Sequence, residues 1–285
     1  MNHKTQRKIR FFTETAVRLL FFIAMPAAFS SGFLAIKLMF SSIGAGEPIN
    51  TDTLWVLILL SGFTILFGRF FCGYICAFGT LGDGVYAISG LIQKKLFKRK
   101  KQLTIPEKPS GILQYLKYVI LISILVLCSM GLYSKLSGWS PWDVFSRFIV
   151  FRLPNADYWA GIALFLLIVI GMAFKKRFFC RFLCPMGAIF SLLPSLPLSK
   201  PHRNPDNCIK GCNACKKKCP VGIKLGENIL HDGECICCEK CLTVCPKKNI
   251  TKAENKLFKS NILLLIVKSG IFFTLGCLCG LCRFF

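Results

Sequence analysis

The sequence predicts an all-α bundle of four or five membrane-spanning helices, followed by a small cysteine-rich domain on the cytoplasmic side. Of its 285 residues, 54% are hydrophobic and 18% are charged, against roughly 25% charged in a typical soluble domain. Long uncharged segments recur through the chain, and 12 of the 17 cysteines follow residue 200. This composition excludes an ordinary soluble enzyme and a disordered chain, and it favours metal ligation over a small disulfide scaffold.

Four apolar segments are predicted to cross the membrane. They are residues 19–36, 53–68, 118–134 and 158–174. The last three are slightly short for a hydrocarbon core about 30 Å thick, which needs ~20 helical residues. Flanking Lys and Arg side chains can reach the interface, so these segments still predict spans. Residues 260–282 predict a fifth span or, because Lys268 lies inside them, an interfacial segment.

The Lys and Arg residues orient the predicted bundle. Segments 1–10, 69–117 and 175–260 hold 4, 9 and 17 of them, whereas the alternate loops 41–53 and 134–157 hold none and three. Positively charged loops stay in the cytoplasm, so we predict a multi-pass protein of the cytoplasmic (inner) membrane whose cysteine-rich domain is cytoplasmic. The formal net charge of +24 then reflects topology and contact with membrane lipid, and nucleic-acid binding is not expected.

Two tandem cysteine runs occupy the segment after the last core span. They are Cys208-x3-Cys212-x2-Cys215-x3-Cys219-Pro220 and Cys235-x2-Cys238-x2-Cys241-x3-Cys245-Pro246. The second run has the spacing of bacterial ferredoxins, C-x2-C-x2-C-x3-C-P, and the first has one extra residue near its start. Zinc sites do not need four cysteines at this spacing, twice. We therefore predict a cytosolic two-[4Fe–4S] bacterial ferredoxin-like domain at residues 199–258, between a membrane domain at 1–198 and a hydrophobic cysteine-rich segment at 259–285.

The ferredoxin pattern also assigns the ligands, because the fourth cysteine of each run ligates the cluster of the other run. The first predicted set is Cys208, Cys212, Cys215 and Cys245, and the second is Cys235, Cys238, Cys241 and Cys219. Soft thiolates suit iron–sulfur clusters. The extra cysteine beside the second set, Cys237, is predicted not to be a ligand. Lysines crowd both runs, where their charge would offset the anionic clusters and attract an acidic redox partner.

An internal repeat follows two of the predicted spans. Arg69-Phe-Phe-Cys72-Gly-Tyr-Ile-Cys76-Ala-Phe-Gly79 is similar to Arg177-Phe-Phe-Cys180-Arg-Phe-Leu-Cys184-Pro-Met-Gly187. Cysteines four residues apart share a helix face, and repeats related by a pseudo-twofold axis normal to the membrane can converge on one site. We predict that Cys72, Cys76, Cys180 and Cys184 form an additional site that binds a metal or exchanges disulfides. The alternative is that they are small packing residues.

Several expected features of other redox proteins are missing from the sequence. None of the three histidines lies in a predicted span, and there is no C-x-x-C-H, which argues against haem. No nucleotide-binding motif is visible. The outer loop at residues 139–143 is predicted to be an interfacial aromatic cluster or a quinol head-group site. Neither Cys128 nor the C-terminal trio of Cys277, Cys279 and Cys282 has a spacing that predicts a site.

The twin Cys-x3-Cys motifs followed by tandem ferredoxin runs resemble the NapH-type membrane polyferredoxins, whose relatives include the membrane part of NosR and the CcoG proteins of oxidase assembly. The resemblance covers about residues 10–250. It implies electron transfer in the inner membrane between the quinol pool and a redox partner. Two departures bear on the assignment to nitrate or nitrous-oxide respiration: Cys76 is followed by Ala77 rather than proline, and the cysteine-rich tail after residue 258 lies outside the pattern.

The predicted function is that of an electron-transfer subunit of a quinol-linked oxidoreductase rather than a stand-alone enzyme. It would link the quinol pool or a cytosolic donor to a redox partner, such as a periplasmic or membrane reductase subunit. The expected cofactors are two [4Fe–4S] clusters, with an additional metal or redox disulfide at the twin motifs. Two alternatives stay open: a copper reductase or assembly factor for a respiratory oxidase, and a redox-sensing membrane regulator.

Overall fold

The computed structural model describes residues 3–97, 111–149, 156–196, 201–204, 206–209, 211–223, 233–247, 249–252 and 261–282. Its α-helices are α1 (His3–Ala24), α2 (Ala28–Ala45), α3 (Thr51–Phe67), α4 (Ala77–Phe97), α5 (Leu116–Ser129), α6 (Pro141–Ile149), α7 (Trp159–Phe174), α8 (Phe178–Phe182), α9 (Pro185–Leu192), α10 (Ala214–Lys218) and α11 (Asn261–Leu278). Shorter elements are a π-helical turn (Phe71–Ile75), two 3₁₀ turns (Tyr133–Trp139 and Ala156–Tyr158) and strands β1 (His202–Arg203) and β2 (Ile250–Thr251).

The described chain has the composition and surface of a membrane protein. Three of its helical segments are long and apolar enough to cross a membrane: α2, residues 111–129 and α11. Helices α3 and α7 are apolar but shorter, with 17 and 16 residues. Large apolar side chains such as Ile122, Leu166 and Ile266 are exposed, as lipid-facing residues would be. The number of spans and the cytoplasmic orientation remain predictions.

The predicted first span, residues 19–36, is wrong as a single helix. Helix α1 ends at Ala24 and α2 begins at Ala28, with Pro26 between them. Proline has no backbone N–H and its ring clashes with the preceding turn, so the apolar segment is divided at this point. The apolar segment long enough to cross a membrane is therefore α2, whereas α1 is a separate helix that buries Phe21 and exposes Leu20.

The predicted fifth span corresponds to α11, and Lys268 does not prevent it from packing as an apolar helix. Lys268 is buried, and its ammonium group lies 4.9 Å and 5.8 Å from the ring centroids of Phe67 and Phe70. Cation–π contacts of this kind lower the cost of burying the charge. Further along α11, the ring of Phe272 packs edge-on against Phe63 of α3. Helix α11 thus packs closely against α3, and the positions of its bulky side chains agree with a membrane helix.

Two halves of the membrane part have the same order of elements, which positions the repeated motifs. Helix α3 leads into the π-helical turn and α4, and α7 leads into α8 and α9. Helix α4 packs on α7, and α2 packs on both α3 and α5. The core between the halves is aromatic: the rings of Phe78 and Phe179, one from each half, have centroids 4.2 Å apart. The two cysteine motifs therefore meet in the packed centre of the protein.

The cysteine-rich part has little regular structure of its own. Strands β1 and β2 pair antiparallel, with His202 opposite Thr251 and Arg203 opposite Ile250. This pairing brings the beginning and the end of the tandem cysteine runs together. The only helix in the described residues between the two strands is the short α10. The fold here is consistent with a segment whose structure depends on bound groups rather than on a large apolar core.

Candidate redox centre

The four cysteines of the twin motifs converge in the protein interior. Cys72 lies in the π-helical turn and Cys76 directly after it, while Cys180 lies in α8 and Cys184 is the N-cap residue of α9. None is more than 8% exposed. Burial raises the pKa of the Cys72, Cys76 and Cys184 thiols, and the neighbouring Cys180 thiol raises all three further. We call these four residues the thiol quartet.

Two buried arginines cross between the motifs. Arg177 donates from Nη1 to the carbonyl oxygen of Cys72 at 2.7 Å and lies 4.0 Å from Cys180 Sγ. A Cβ atom on Gly79 would lie 2.3 Å from Arg177 Nη1, and one on Gly187 would lie 2.9 Å from Arg69 Nη2. The glycine that ends each motif thus makes room for the arginine that begins the other. These guanidinium groups place positive charge beside the thiols, where it favours their thiolate forms.

Backbone groups and one carboxylate complete the surroundings of the quartet. The N–H of Gly187 donates to Cys184 Sγ at 3.2 Å, and the N–H of Gly79 donates to Cys76. Asp83 pairs with Arg177 at 2.8 Å and with Arg18 at 3.3 Å. Burial opposes ionisation of Asp83, yet the Arg177 guanidinium holds the pKa of this carboxyl well below its usual range. Asp83 therefore stays charged and positions Arg177, a role that the sequence alone did not suggest.

The chemistry of the quartet fits a thiolate-ligated group. It combines four soft donors, two fixed positive charges and N–H groups aimed at sulfur, the features that bind and tune iron–sulfur clusters. Across the described residues, no three His, Cys, Asp or Glu side chains converge as the ligands of one metal ion do. This holds equally for the quartet and for the two ferredoxin sets.

The first predicted ferredoxin set lines one small cavity. Cys208, Cys212, Cys215 and Cys245 all face it, together with Pro246 and Ile250. The backbone N–H of Asn249 donates to Cys245 Sγ at 3.3 Å. The fourth cysteine of the second run therefore lies with the first three of the first run, which is the crossed arrangement expected from the spacing.

The second predicted set is also a group of neighbours. Burial and the nearby Cys238 and Cys235 thiols raise the pKa of Cys219 to about 11. Burial and these same thiols, together with Cys219, raise the pKa of Cys241. Cys237 has a positive φ of 49° and donates from its thiol to the Cys235 carbonyl oxygen. A Cβ atom on Gly68 would lie 2.7 Å from Cys237 Sγ, so this thiol packs against the end of α3.

The second set is docked directly on the first twin motif. Tyr74 donates from its hydroxyl to the carbonyl oxygen of Cys238 at 3.2 Å. A Cβ atom on Gly73 would lie 2.5 Å from the Ile236 carbonyl oxygen and 3.8 Å from Cys238 Cα. Only glycine, next to Cys72, allows the two backbones to approach this closely. The backbone that carries the second ferredoxin set is therefore in contact with the backbone that carries Cys72 of the thiol quartet.

Ion pairs hold this interface, and sequence analysis missed them. Glu234 pairs with Arg69 at 3.1 Å and with Lys117. Glu239 pairs with Arg10 and with Lys252. The chain has only 13 acidic residues, and these two flank the start of the second cysteine run. The sequence offered one signal for these ion pairs: acidic residues are rare in this chain, yet two of them lie beside the second cysteine run.

The remaining cysteines lie apart from these sets. Cys277 and Cys282 form a disulfide at the end of α11, a pairing that their spacing had not predicted, and Cys279 is a free thiol. Cys128 lies in α5 and is buried in the hydrophobic core of the protein, as expected for a packing residue.

Comparisons with known proteins find iron–sulfur proteins among the relatives of this chain. The family described as 4Fe-4S binding domain matches residues 50–103 and 158–203, the two segments that carry the quartet. An uncharacterized protein of Methanocaldococcus jannaschii, MJ0750, is 32% identical over 67% of this chain and 74% of its own length. The putative electron transport protein YccM of Escherichia coli is 27% identical over 79% of this chain and 63% of its own length.

The named relatives define the family. The ferredoxin-type protein NapH of Haemophilus influenzae is 25% identical over 67% of this chain and 64% of its own length. The chain spans 62% of the length of one M. jannaschii relative, MJ0749, and 28% of NirI from Paracoccus denitrificans. No solved structure matches the chain. The twin motifs, the tandem runs and these relatives together show that the chain belongs to the NapH- and NosR-like family of ferredoxin-type iron–sulfur membrane proteins.

Proposed function

We propose that this chain is an electron-transfer subunit of the cytoplasmic membrane that links the quinol pool or a cytosolic donor to a redox partner protein. Its twelve grouped cysteines would hold three iron–sulfur clusters, one in each ferredoxin set and one in the thiol quartet. The observation that carries this proposal is the close approach of the Gly73 and Ile236 backbones, together with the hydrogen bond from Tyr74 to the Cys238 carbonyl oxygen, because it joins the second ferredoxin set to the quartet. Clusters bound at these thiols would supply reversible one-electron transfer.

The charged residues around the quartet are suited to a redox centre whose net charge changes when it is reduced. Arg69 and Arg177 are each 3% exposed, so water does not screen their charge. They would stabilise the additional negative charge of a reduced centre. Asp83 pairs with Arg177 and Glu234 pairs with Arg69, which keeps the two guanidinium groups in place.

The tandem runs are suited to a protein partner. Lys216, Lys217 and Lys218 form the last turn of α10 and lie between Cys215 and Cys219. Their charge would attract an acidic surface and speed association. The distribution of Lys and Arg between the loops supports a cytoplasmic location for this partner surface.

Iron and sulfide analysis after anaerobic purification tests the proposal. Three clusters predict roughly ten to twelve irons per chain, depending on whether the quartet holds two or four irons. Replacing Cys72, Cys76, Cys180 and Cys184 together by serine should lower the content to about eight, with the ferredoxin clusters retained. The matched control is Cys128→Ser, which removes a buried thiol outside the three sets. Eight irons in both the wild type and the quadruple variant would exclude a cluster at the quartet.

A further inference from the structure

The second Cys-x3-Cys motif carries an arginine where the first carries a glycine. Arg181 follows Cys180, and the equivalent residue after Cys72 is Gly73. The backbone of Gly73 closely approaches that of the second ferredoxin set. The two motifs thus differ in size and charge at the position where the first motif meets the tandem cysteine runs.

Arg181 also reaches the tandem runs, at the turn that follows Cys219. A Cβ atom on Gly222 would overlap the Arg181 guanidinium group, lying 3.0 Å from its Cζ and 3.5 Å from its Nη2. Gly222 has a φ of 66°, a left-handed conformation that favours glycine. Because Gly222 has no side chain, the guanidinium group lies directly against the backbone of this turn.

The turn beneath Arg181 surrounds a ligand of the second ferredoxin set. The N–H of Gly222 donates to the Cys219 carbonyl oxygen at 3.3 Å, which closes the turn. The N–H groups of Val221 and Ile223 donate to the Cys219 sulfur, where they favour its thiolate form. The side chains of Val221 and Ile223 are buried in the same apolar core as Cys180. Both neighbours of Gly222 are thus anchored in the protein, and Arg181 contacts the backbone between them.

A second cation lies near Arg181 but does not contact the turn. Arg181 Cζ lies 5.3 Å from the ring centroid of Phe182, and Lys175 Nζ lies 5.1 Å from the same centroid. The three atoms nearest to a Cβ placed on Gly222 all belong to Arg181. Arg181 and Lys175 therefore bring similar charge to the same aromatic ring, and they differ in their contact with Gly222.

We propose that Arg181 is a positioning residue that raises the reduction potential of the cluster held by the second ferredoxin set. It holds the turn at Gly222 so that the N–H groups of Val221 and Ile223 stay directed at Cys219 Sγ. Hydrogen bonds to cluster sulfurs and nearby positive charge stabilise the additional negative charge of a reduced cluster. The second Cys-x3-Cys motif thereby tunes the cluster next to the thiol quartet. This inference deepens the proposed function, on which it rests for the cluster at the second set.

Potentiometry of the full chain in detergent, read by electron paramagnetic resonance, tests this role. The signal missing from Cys238→Ser identifies the second set. Arg181→Gln removes the charge and the contact, and it should make reduction of this cluster about tenfold less favourable, or ~59 mV for a one-electron couple. Arg181→Lys keeps the charge without the planar guanidinium group and should have a smaller effect, about threefold. Lys175→Gln is the matched control, because it removes a charge beside Phe182 and leaves the turn untouched.

Gly222→Ala tests whether Arg181 acts through the turn. Its Cβ would displace the guanidinium group, so the potential should fall in the same direction. The double variant of Arg181→Gln and Gly222→Ala should shift the potential no further than the larger single shift, because both changes break one contact. Additive shifts would overturn the inference, and so would a shift in Arg181→Gln no larger than that in Lys175→Gln.

Measurements on the same samples separate this inference from the proposed function. Normal iron content with a wild-type potential in both Arg181 variants refutes the role of Arg181 alone, whereas a wild-type chain without cluster iron refutes the proposed function. If Arg181→Gln does not retain the second cluster, Arg181→Lys carries the same test, and a wild-type potential in it overturns the inference. Amide hydrogen exchange at Val221 and Ile223 needs no cluster. It should be about tenfold faster in Arg181→Gln than in Lys175→Gln, and equal rates would overturn the inference.

Discussion

Replacing Glu234 by glutamine should loosen the attachment of the second ferredoxin set to the membrane part. The glutamine keeps the size of the side chain and removes its charge. In the wild type the carboxylate pairs with Arg69 at 3.1 Å and with Lys117, and it accepts a hydrogen bond from the Tyr118 hydroxyl at 3.3 Å. Arg69 and Lys117 are 3% and 0% exposed, so both cations would be left buried without their carboxylate.

The expected loss in the free energy of unfolding follows from this burial. Removing one partner of a buried ion pair typically destabilises a protein by ~3–5 kcal/mol. The Glu234 side chain is 18% exposed and glutamine can still accept hydrogen bonds, so we expect a smaller loss, about 2–3 kcal/mol. For a chain of this size that corresponds to a fall in Tm of roughly 5–10 °C. The control is Glu47→Gln, because Glu47 is exposed in the loop after α2.

The pH dependence gives an independent check. Burial alone would raise the pKa of Glu234, but Arg69 and Lys117 outweigh it, and the net pKa lies below the ordinary value of 4.5. A lowered native pKa means that the carboxylate stabilises the folded state fully above pH 4.5 and loses this effect as the pH falls through the native pKa. Tryptophan fluorescence during thermal unfolding should show a Tm difference at pH 7 that shrinks below pH 4.5. A difference at pH 7 no larger than that of Glu47→Gln would refute the reasoning.

Three other predictions concern the ligand register, the docking and the topology. Cys238→Ser should lose one ferredoxin cluster whereas Cys237→Ser should keep both, as measured by iron content; the opposite result would contradict the assigned register. Gly73→Ala should separate the two sites, because its Cβ would lie 2.5 Å from the Ile236 carbonyl oxygen, and hydrogen exchange of residues 233–239 should become faster; unchanged exchange would argue against the docking. A periplasm-active reporter should be silent when fused after Lys252 and active at Ser137, and a swap of the two would reverse the orientation.

The convergence of the quartet could be anticipated from the sequence because it depends on local patterns. The repeats around Cys72 and Cys180 have the same spacing and follow equivalent apolar helices, so symmetry alone predicts that they meet. The crossed grouping of Cys219 with the second run rests in the same way on a spacing with a known structural meaning. These features needed no knowledge of which distant side chains touch.

Other features depend on contacts between distant residues or on interruptions of helices that the overall composition does not reveal. Pro26 divides an apolar segment that appears continuous when hydropathy alone is considered. The pairs of Glu234 with Arg69 and of Asp83 with Arg177 join residues 165 and 94 positions apart, and no periodicity predicts them.

Electron paramagnetic resonance of the reduced protein tests most directly the central claim that a redox centre at the quartet lies beside the second ferredoxin set. The signal of the ferredoxin cluster at Cys238 should be broadened by magnetic coupling to a second centre. The broadening should disappear when Cys72, Cys76, Cys180 and Cys184 are replaced together by serine, while the iron of the tandem runs remains. An identical, unbroadened signal in the wild type and this variant, with equal iron content, would show that no redox centre lies at the quartet.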